Sequence, residues 1–464
     1  MCNLEILLNN SNDVCIIDNT GKKYSYKKIN AEIDHYKNYY EKRSLILIIS
    51  SFTKEFIVHY LSCLKFGHAQ IILNENIDDE LLKKIITKYK PNYILLRNVK
   101  KNILKKYNLQ KKTKKDVYKI YKSIDNKKIK LNNSLALLLS TSGSTGSLKF
   151  VKQTYENINA NTKSISKYLN LKSNDRSVTS LPLNYSYGLS VVNSHLYIGG
   201  SIYITNSNIL EKKFWNDLFK YKISNLNGVP YFFEILKKIN FEKFNLTHIN
   251  FFTQAGGPLE KKLNRYLINF CKRNKKKFIV MYGQTEATSR ISFLPWKYAL
   301  TKIGSIGKAI PGGSLKIKDN KKKGELIYQG KNVTIGYSNN FQDLNFSDSN
   351  VGTLYTGDIA KKDKDGFFYI IGRINRNVKI YGFRINLDDL EKKLSTGNSK
   401  CACIGKDDLI TIFFTKEMHR KFIMNKLVKV FKFKINNFKL ILIKKLPYST
   451  NGKLLYSKLN ENIK

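Results

Sequence analysis

Residues 137–149 (LLLSTSGSTGSLK) run an apolar stretch into a loop of hydroxylated and glycine residues that ends on a lysine. Thr141, Ser142, Gly143, Ser144, Thr145 and Gly146 offer open backbone N–H groups and hydroxyls, and Lys149 adds a cation. That set suits a polyphosphate. It is not a Walker A loop, because no Gly-Lys-Ser/Thr closes it. Taken alone, the stretch also reads as a flexible surface turn. Further on, Glu286 closes Tyr282-Gly283-Gln284-Thr285-Glu286, and Asp358 closes Tyr355-Thr356-Gly357-Asp358. In isolation Glu286 reads as a helix cap and Asp358 as a turn aspartate. Of the 26 glycines only Gly21 and Gly67 precede residue 143, so close backbone approach to a ligand belongs to the later chain.

The elements that must hold these residues follow from hydrophobic pattern. Residues 44–50, 69–73 and 93–96 read as buried strands, and 54–65 and 78–89 as helices. Their alternation predicts βαβ units around a parallel sheet. Residues 100–130 read as a lysine-rich surface excursion. At 464 residues the chain suits one large and one smaller domain. Its 42% hydrophobic content excludes a disordered chain, and no apolar run is long enough to span a bilayer. No secretory signal is visible, and six scattered cysteines without a CxxC pair read as reduced thiols of a cytoplasmic protein. The formal charge of +47 admits a basic nucleic-acid-binding protein as an alternative. Dispersal of the lysines favours compositional drift instead, so no nucleic-acid partner is expected.

More motifs follow in order: Gly324-Glu325-Leu326 with Gly330 and Gly336-Tyr337, then Gly372-Arg373, Lys379 to Ile385 (KIYGFRI), and Leu446-Pro447 with Gly452-Lys453. Together with the loop at 141–149, Tyr282–Glu286 and Tyr355–Asp358, they resemble the adenylate-forming (AMP-binding) superfamily of acyl-CoA synthetases, peptide-synthetase adenylation domains and luciferases. The resemblance spans roughly residues 20 to 460 and is carried by motif order as well as content.

That resemblance implies an α/β fold, with a large N-terminal domain of parallel sheets and flanking helices over 1–374. A small mobile α+β lid over 375–464 completes it. It implies an ATP-dependent, AMP-forming ligase that activates a carboxylic acid as acyl-adenylate and passes the acyl group to CoA or a carrier-protein phosphopantetheine. The loop and Lys149 would cradle the departing phosphates, Glu286 would hold Mg²⁺, and Thr285 would bond the α-phosphate. Tyr282 would stack on adenine beside Gly283, Gln284, Gly256 and Gly257. Asp358 would accept two ribose hydroxyls, with Arg373 beside it. Lys453 would bridge carboxylate and phosphate, and Lys379 and Gly382 would line the thiol path.

The segment 181–189 (LPLNYSYGL) matches the acyl-pocket region, with Tyr185 where a histidine is common. Tyr185, Gly188 and Gly228 are the pocket candidates, although core packing explains Tyr185 and Tyr187 equally well. Amino-acid-activating relatives place an aspartate here for the substrate ammonium, and residues 181–196 contain none. An amino-acid ligase loading a carrier protein therefore stands as the alternative to a simple acid ligase. Departures from the pattern are Leu148 for proline, Phe150 for glycine, Asn375 at the hinge and Asn386 for glutamate.

Overall fold

The computed structural model describes residues 9–97, 104, 106–109, 117–125, 129–140, 149–348, 351–380, 383–396, 399–406, 409–427, 435–449 and 454–461. Among these residues two compact units emerge: those within 9–140, 149–314 and 329–354 form the larger, and those within 315–328 and 355–461 the smaller.

In the larger unit the expected alternation is present. Strands Leu45–Ile49, Ala69–Leu73 and Tyr93–Leu96 run parallel, linked by helices Lys54–Lys65 and Asp79–Tyr89. These strands are apolar almost throughout because helices cover both faces of the sheet. Thr53 and Asp78 start the helices by accepting from the Phe56 and Leu81 N–H groups. The sheet grows to eight strands; Leu135–Ser140 joins parallel to Ala69–Leu73, and Phe150–Thr154 returns antiparallel beside it. This return explains Phe150: it opens the returning strand, is fully buried, and meets Tyr89 edge-on at 5.1 Å. A glycine there would leave a cavity in the core.

Residues 117–123 differ from the expected surface excursion. Strand Lys119–Ser123 pairs antiparallel with Tyr93–Leu96, and Tyr118, Ile120 and Tyr121 are buried. Interspersed lysines dilute the apolar signal of this short strand, which lies between Tyr93–Leu96 and the edge strand Tyr107–Leu109, and tertiary pairing overrides it.

A second sheet of nine strands has a parallel centre: Ser201–Tyr203, Arg176–Val178, Asn225–Gly228, Phe251–Gln254 and Lys277–Tyr282. Its edges are antiparallel. One core joins the two sheets through Ile46 and Ile48 on one side, Ile202 on the other, and Phe56, Leu61, Leu189, Val192 and Leu196 from intervening helices. Each such side chain contributes about 1.5–3 kcal/mol on burial.

Most of a four-stranded sheet, Gly313–Ile317, Lys323–Gly330, Thr353–Lys362 and Phe368–Arg373, falls in the smaller unit. After it come a hairpin (Asn377–Ile380 with Phe383–Asn386), helix Leu387–Leu394 and a three-stranded sheet of Cys401–Lys406, Leu409–Phe414 and Phe438–Leu442. This part has its own core, built on Leu390, Leu394, Cys403, Ile412, Phe414 and Ile423. Asn386, where the motif predicts glutamate, donates its Nδ2 to the Arg373 carbonyl at 3.3 Å. It thus ties the hairpin to the end of the preceding strand.

Candidate active site

Strand Lys277–Tyr282 carries Tyr282 to its C-terminal end, the edge where parallel sheets bind ligands. There the chain turns sharply through Gly283 into the short 3-10 turn Thr285–Ala287. A Cβ on Gly283 would collide with the Ser289 carbonyl oxygen, so the turn needs glycine. The half-buried Glu286 backbone carbonyl accepts from Thr334 N–H at 3.0 Å. Buried Gln153 donates its Nε2 to the Thr285 and Thr288 carbonyls, each at 3.3 Å. Gln284 reaches back to the Tyr282 hydroxyl at 3.2 Å. The predicted motif is therefore a braced loop with Thr285 and Glu286 at its tip.

Opposite charges meet around one phenol. Tyr337, on the edge strand paired to Phe150 and Val151, donates its hydroxyl to Glu286 Oε1 at 2.8 Å. The Lys149 ammonium sits 4.5 Å from the centre of the same ring. Burial first, and the Glu286 charge second, push the Tyr337 hydroxyl well above its ordinary pKa, so it stays a donor at neutral pH. Tyr337 was visible only as part of a motif; its contact with Glu286 spans 51 residues of sequence and has no local signature.

Glu286 fits a magnesium ion brought in by a nucleotide. Among the described residues no three His, Cys, Asp or Glu side chains gather into a metal cage. Mg²⁺ uses one or two carboxylates and completes its shell with substrate phosphate and water. A single half-buried glutamate on a tyrosine whose ring also faces a lysine suits that mode.

The acyl candidates lie in the same unit. Tyr185 precedes helix Ser186–Tyr197, and Gly188 is buried in its first turn. Ser186 Oγ lies 3.4 Å from Thr285 Oγ1, which places the start of this helix against the Glu286 loop. Gly256 holds φ +88, and a Cβ there would press on the Tyr185 hydroxyl at 2.9 Å. Gly257 follows it, and Gly228 closes strand Asn225–Gly228. Tyr187 is core: it is 1% exposed, and its hydroxyl bonds Thr253 Oγ1 at 2.7 Å. Thr253 continues a buried polar chain through Asn227 to Ser177 and Asn225.

In the smaller unit Asp358 and Arg373 stand directly opposite on neighbouring strands, with Arg373 Nε 2.8 Å from Asp358 Oδ1. Asp358 is 1% exposed while the Arg373 side chain is 61% exposed, so the pair runs from core to surface. Lys379 lies on strand Asn377–Ile380. The loop 141–148, Gly382 and Lys453 lie outside the described residues.

The sequence profile described as AMP-binding enzyme matches residues 7–338. The chain belongs to that family. This AMP-binding enzyme is an ATP-dependent, AMP-forming acid–thiol ligase. The 2-succinylbenzoate–CoA ligase of Listeria monocytogenes serotype 4b (strain F2365) is 30% identical over 339 residues, covering 70% of each chain. The fold matches o-succinylbenzoate CoA synthetase (MenE) from Bacillus subtilis, solved with its acyl-adenylate, at TM-score 0.76 and 18% identity over 98% of this chain and 96% of that one. ATP-bound MatB from Rhodopseudomonas palustris matches at TM-score 0.79 and 20% identity, over 99% and 98% of the two chains.

Proposed function

We propose that this AMP-binding enzyme activates a carboxylic acid lacking an α-amino group and transfers it to coenzyme A in two half-reactions. The observation that carries the reading is the Lys149–Tyr337–Glu286 cluster, a cation and an anion held on one phenol at the mouth of the Gly283 turn. In the first half-reaction the acid's carboxylate attacks the α-phosphorus of ATP, and pyrophosphate leaves. Negative charge gathers on phosphoryl oxygens, so positioning and cations supply most of the catalysis. Lys149 and the loop at 141–148 bind the departing phosphates, and Thr285 bonds the α-phosphate. Tyr337 orients the Glu286 carboxylate, which would hold the metal. Magnesium, when bound there, neutralises charge on the leaving group. Tyr282 stacks on adenine, Asp358 accepts the ribose hydroxyls with Arg373 as its partner, and Lys453 bridges carboxylate and phosphate. In the second half-reaction the thiol displaces AMP, with the 375–464 lid rotated so that Lys379 and Gly382 line its path. Absence of a carboxylate from residues 181–196 supports an acid without an ammonium group. Similarity to a CoA ligase supports coenzyme A as acceptor.

ATP–pyrophosphate exchange, screened over fatty, aryl, dicarboxylic and amino acids, tests the reading. Exchange is expected with a non-amino acid, and Lys453→Ala is expected to abolish it while thioester formation from supplied acyl-adenylate survives. Exchange with amino acids alone, or equal loss of both steps in Lys453→Ala, would overturn it.

A further inference from the structure

Arg290 is 3% exposed, four residues beyond Glu286. Its guanidinium carbon lies 3.7 Å from the centre of the Tyr187 ring, a stacking distance. One terminal nitrogen donates to Ser289 Oγ at 2.6 Å, and the Tyr168 hydroxyl is a further polar neighbour. Nε is buried without a hydrogen-bond partner, and no carboxylate of the described residues forms an ion pair with this group. Buried arginines ordinarily have an anionic partner, because a desolvated cation without one is strongly unfavourable. Stacking on a tyrosine returns only part of that cost.

Placement says where the missing anion belongs. Tyr187, beneath the guanidinium, sits between Tyr185 and Gly188 and reaches Thr253 on the strand that leads to Gly256. Arg290 itself continues the Thr285–Glu286 loop. The cation therefore lies where the acyl segment and the loop at the reacting centre meet, all within the larger unit.

We infer that Arg290 is a specificity-determining residue that pairs with a second anionic group on the acid, so the preferred substrate is a dicarboxylate. One carboxylate reacts at the α-phosphorus, and the other neutralises the guanidinium. This inference rests on the ligase reading and adds the substrate class to it. A planar fork bonding both oxygens of a carboxylate gives direction as well as charge, which a lysine ammonium does not.

The test compares kcat/KM in ATP–pyrophosphate exchange for matched acids: glutarate against pentanoate, and 2-carboxyphenylacetate against phenylacetate. Wild type is expected to favour the diacid on the order of 100-fold, as for a buried charge pair. Arg290→Met is expected to bring the ratio near one by raising KM for the diacid. Arg290→Lys, which keeps the charge and guards against a folding defect, is expected to retain an intermediate preference. Equal or better use of the monoacids by wild type, or an unchanged ratio in Arg290→Met, leaves the ligase reading standing and overturns this one. Silence with every acid in the wider screen overturns both.

Discussion

At the scale of single residues, the chemistry depends on side chains whose protonation and direction are set by one or two neighbours. Tyr337 keeps Glu286 pointed while remaining a neutral donor itself. Glu286→Gln keeps the shape of the side chain and one acceptor oxygen but removes the charge. We expect it to cut adenylation at least about 100-fold and to raise the Mg²⁺ concentration needed for half-maximal exchange. Tyr337→Phe leaves the carboxylate intact and should show a smaller loss, about tenfold, with the same shift toward higher Mg²⁺. A magnesium titration of exchange rate checks both; an unchanged requirement in Glu286→Gln would remove that residue from the metal site. Glu286 and Lys149 are readable in the sequence because their motifs are local. Tyr337's role and Arg290's missing counter-ion are not, since each depends on what distant segments bring alongside.

At the scale of elements, the Gly283 turn converts the end of a strand into a platform for Thr285 and Glu286, the groups proposed to act on the nucleotide. Gly283→Ala places a methyl group against the Ser289 carbonyl, so the turn must open. Overpacking of this kind costs about 1–3 kcal/mol. Exchange should fall further than stability, because a displacement of Thr285 and Glu286 by 1 Å costs on the order of 100-fold in rate. Urea unfolding and exchange measured on one preparation separate the two effects. Full activity in Gly283→Ala would show that the turn has slack. Helix positions were legible: the span 54–65 is as read, and the span read as 78–89 begins one residue later because Asp78 is its cap. The strand Lys119–Ser123 was not, because Lys119, Lys122 and Ser123 carry no burial signal until the strand pairs on both sides.

At the scale of the whole molecule, the large core imposes a pH limit. His59 is 2% exposed and lies against Tyr36 and Tyr118, and burial pulls its pKa down to about 3. His68, whose Nδ1 accepts from Ser44 N–H, is pulled down to about 4, again chiefly by burial. Both are neutral when folded but bind protons near pH 6.5 when unfolded, so the unfolded chain takes up more protons as pH falls. Their contribution is intact above that pH and is lost progressively below it. Between pH 7.5 and pH 5 each should cost about 2 kcal/mol. Urea midpoints at the two pH values check the total, and His59→Phe should flatten the slope. A midpoint independent of pH would mean that both rings are hydrated in the folded state.

The sequence by itself determined the family, the order of the motifs and the parallel βαβ framework, because glycine turns, caps and apolar periodicity act over a few residues. It also supplied the identities of the phosphate, metal and ribose candidates, since these residue types sit in short, recognisable strings. Only the tertiary structure decided which tyrosine of the acyl segment is core and which faces Gly256. It likewise placed Tyr337 on Glu286 and left Arg290 buried without a carboxylate partner among the described residues. Those are outcomes of long-range packing, where a side chain's partner comes from another strand or helix and neither segment alone carries the other's position.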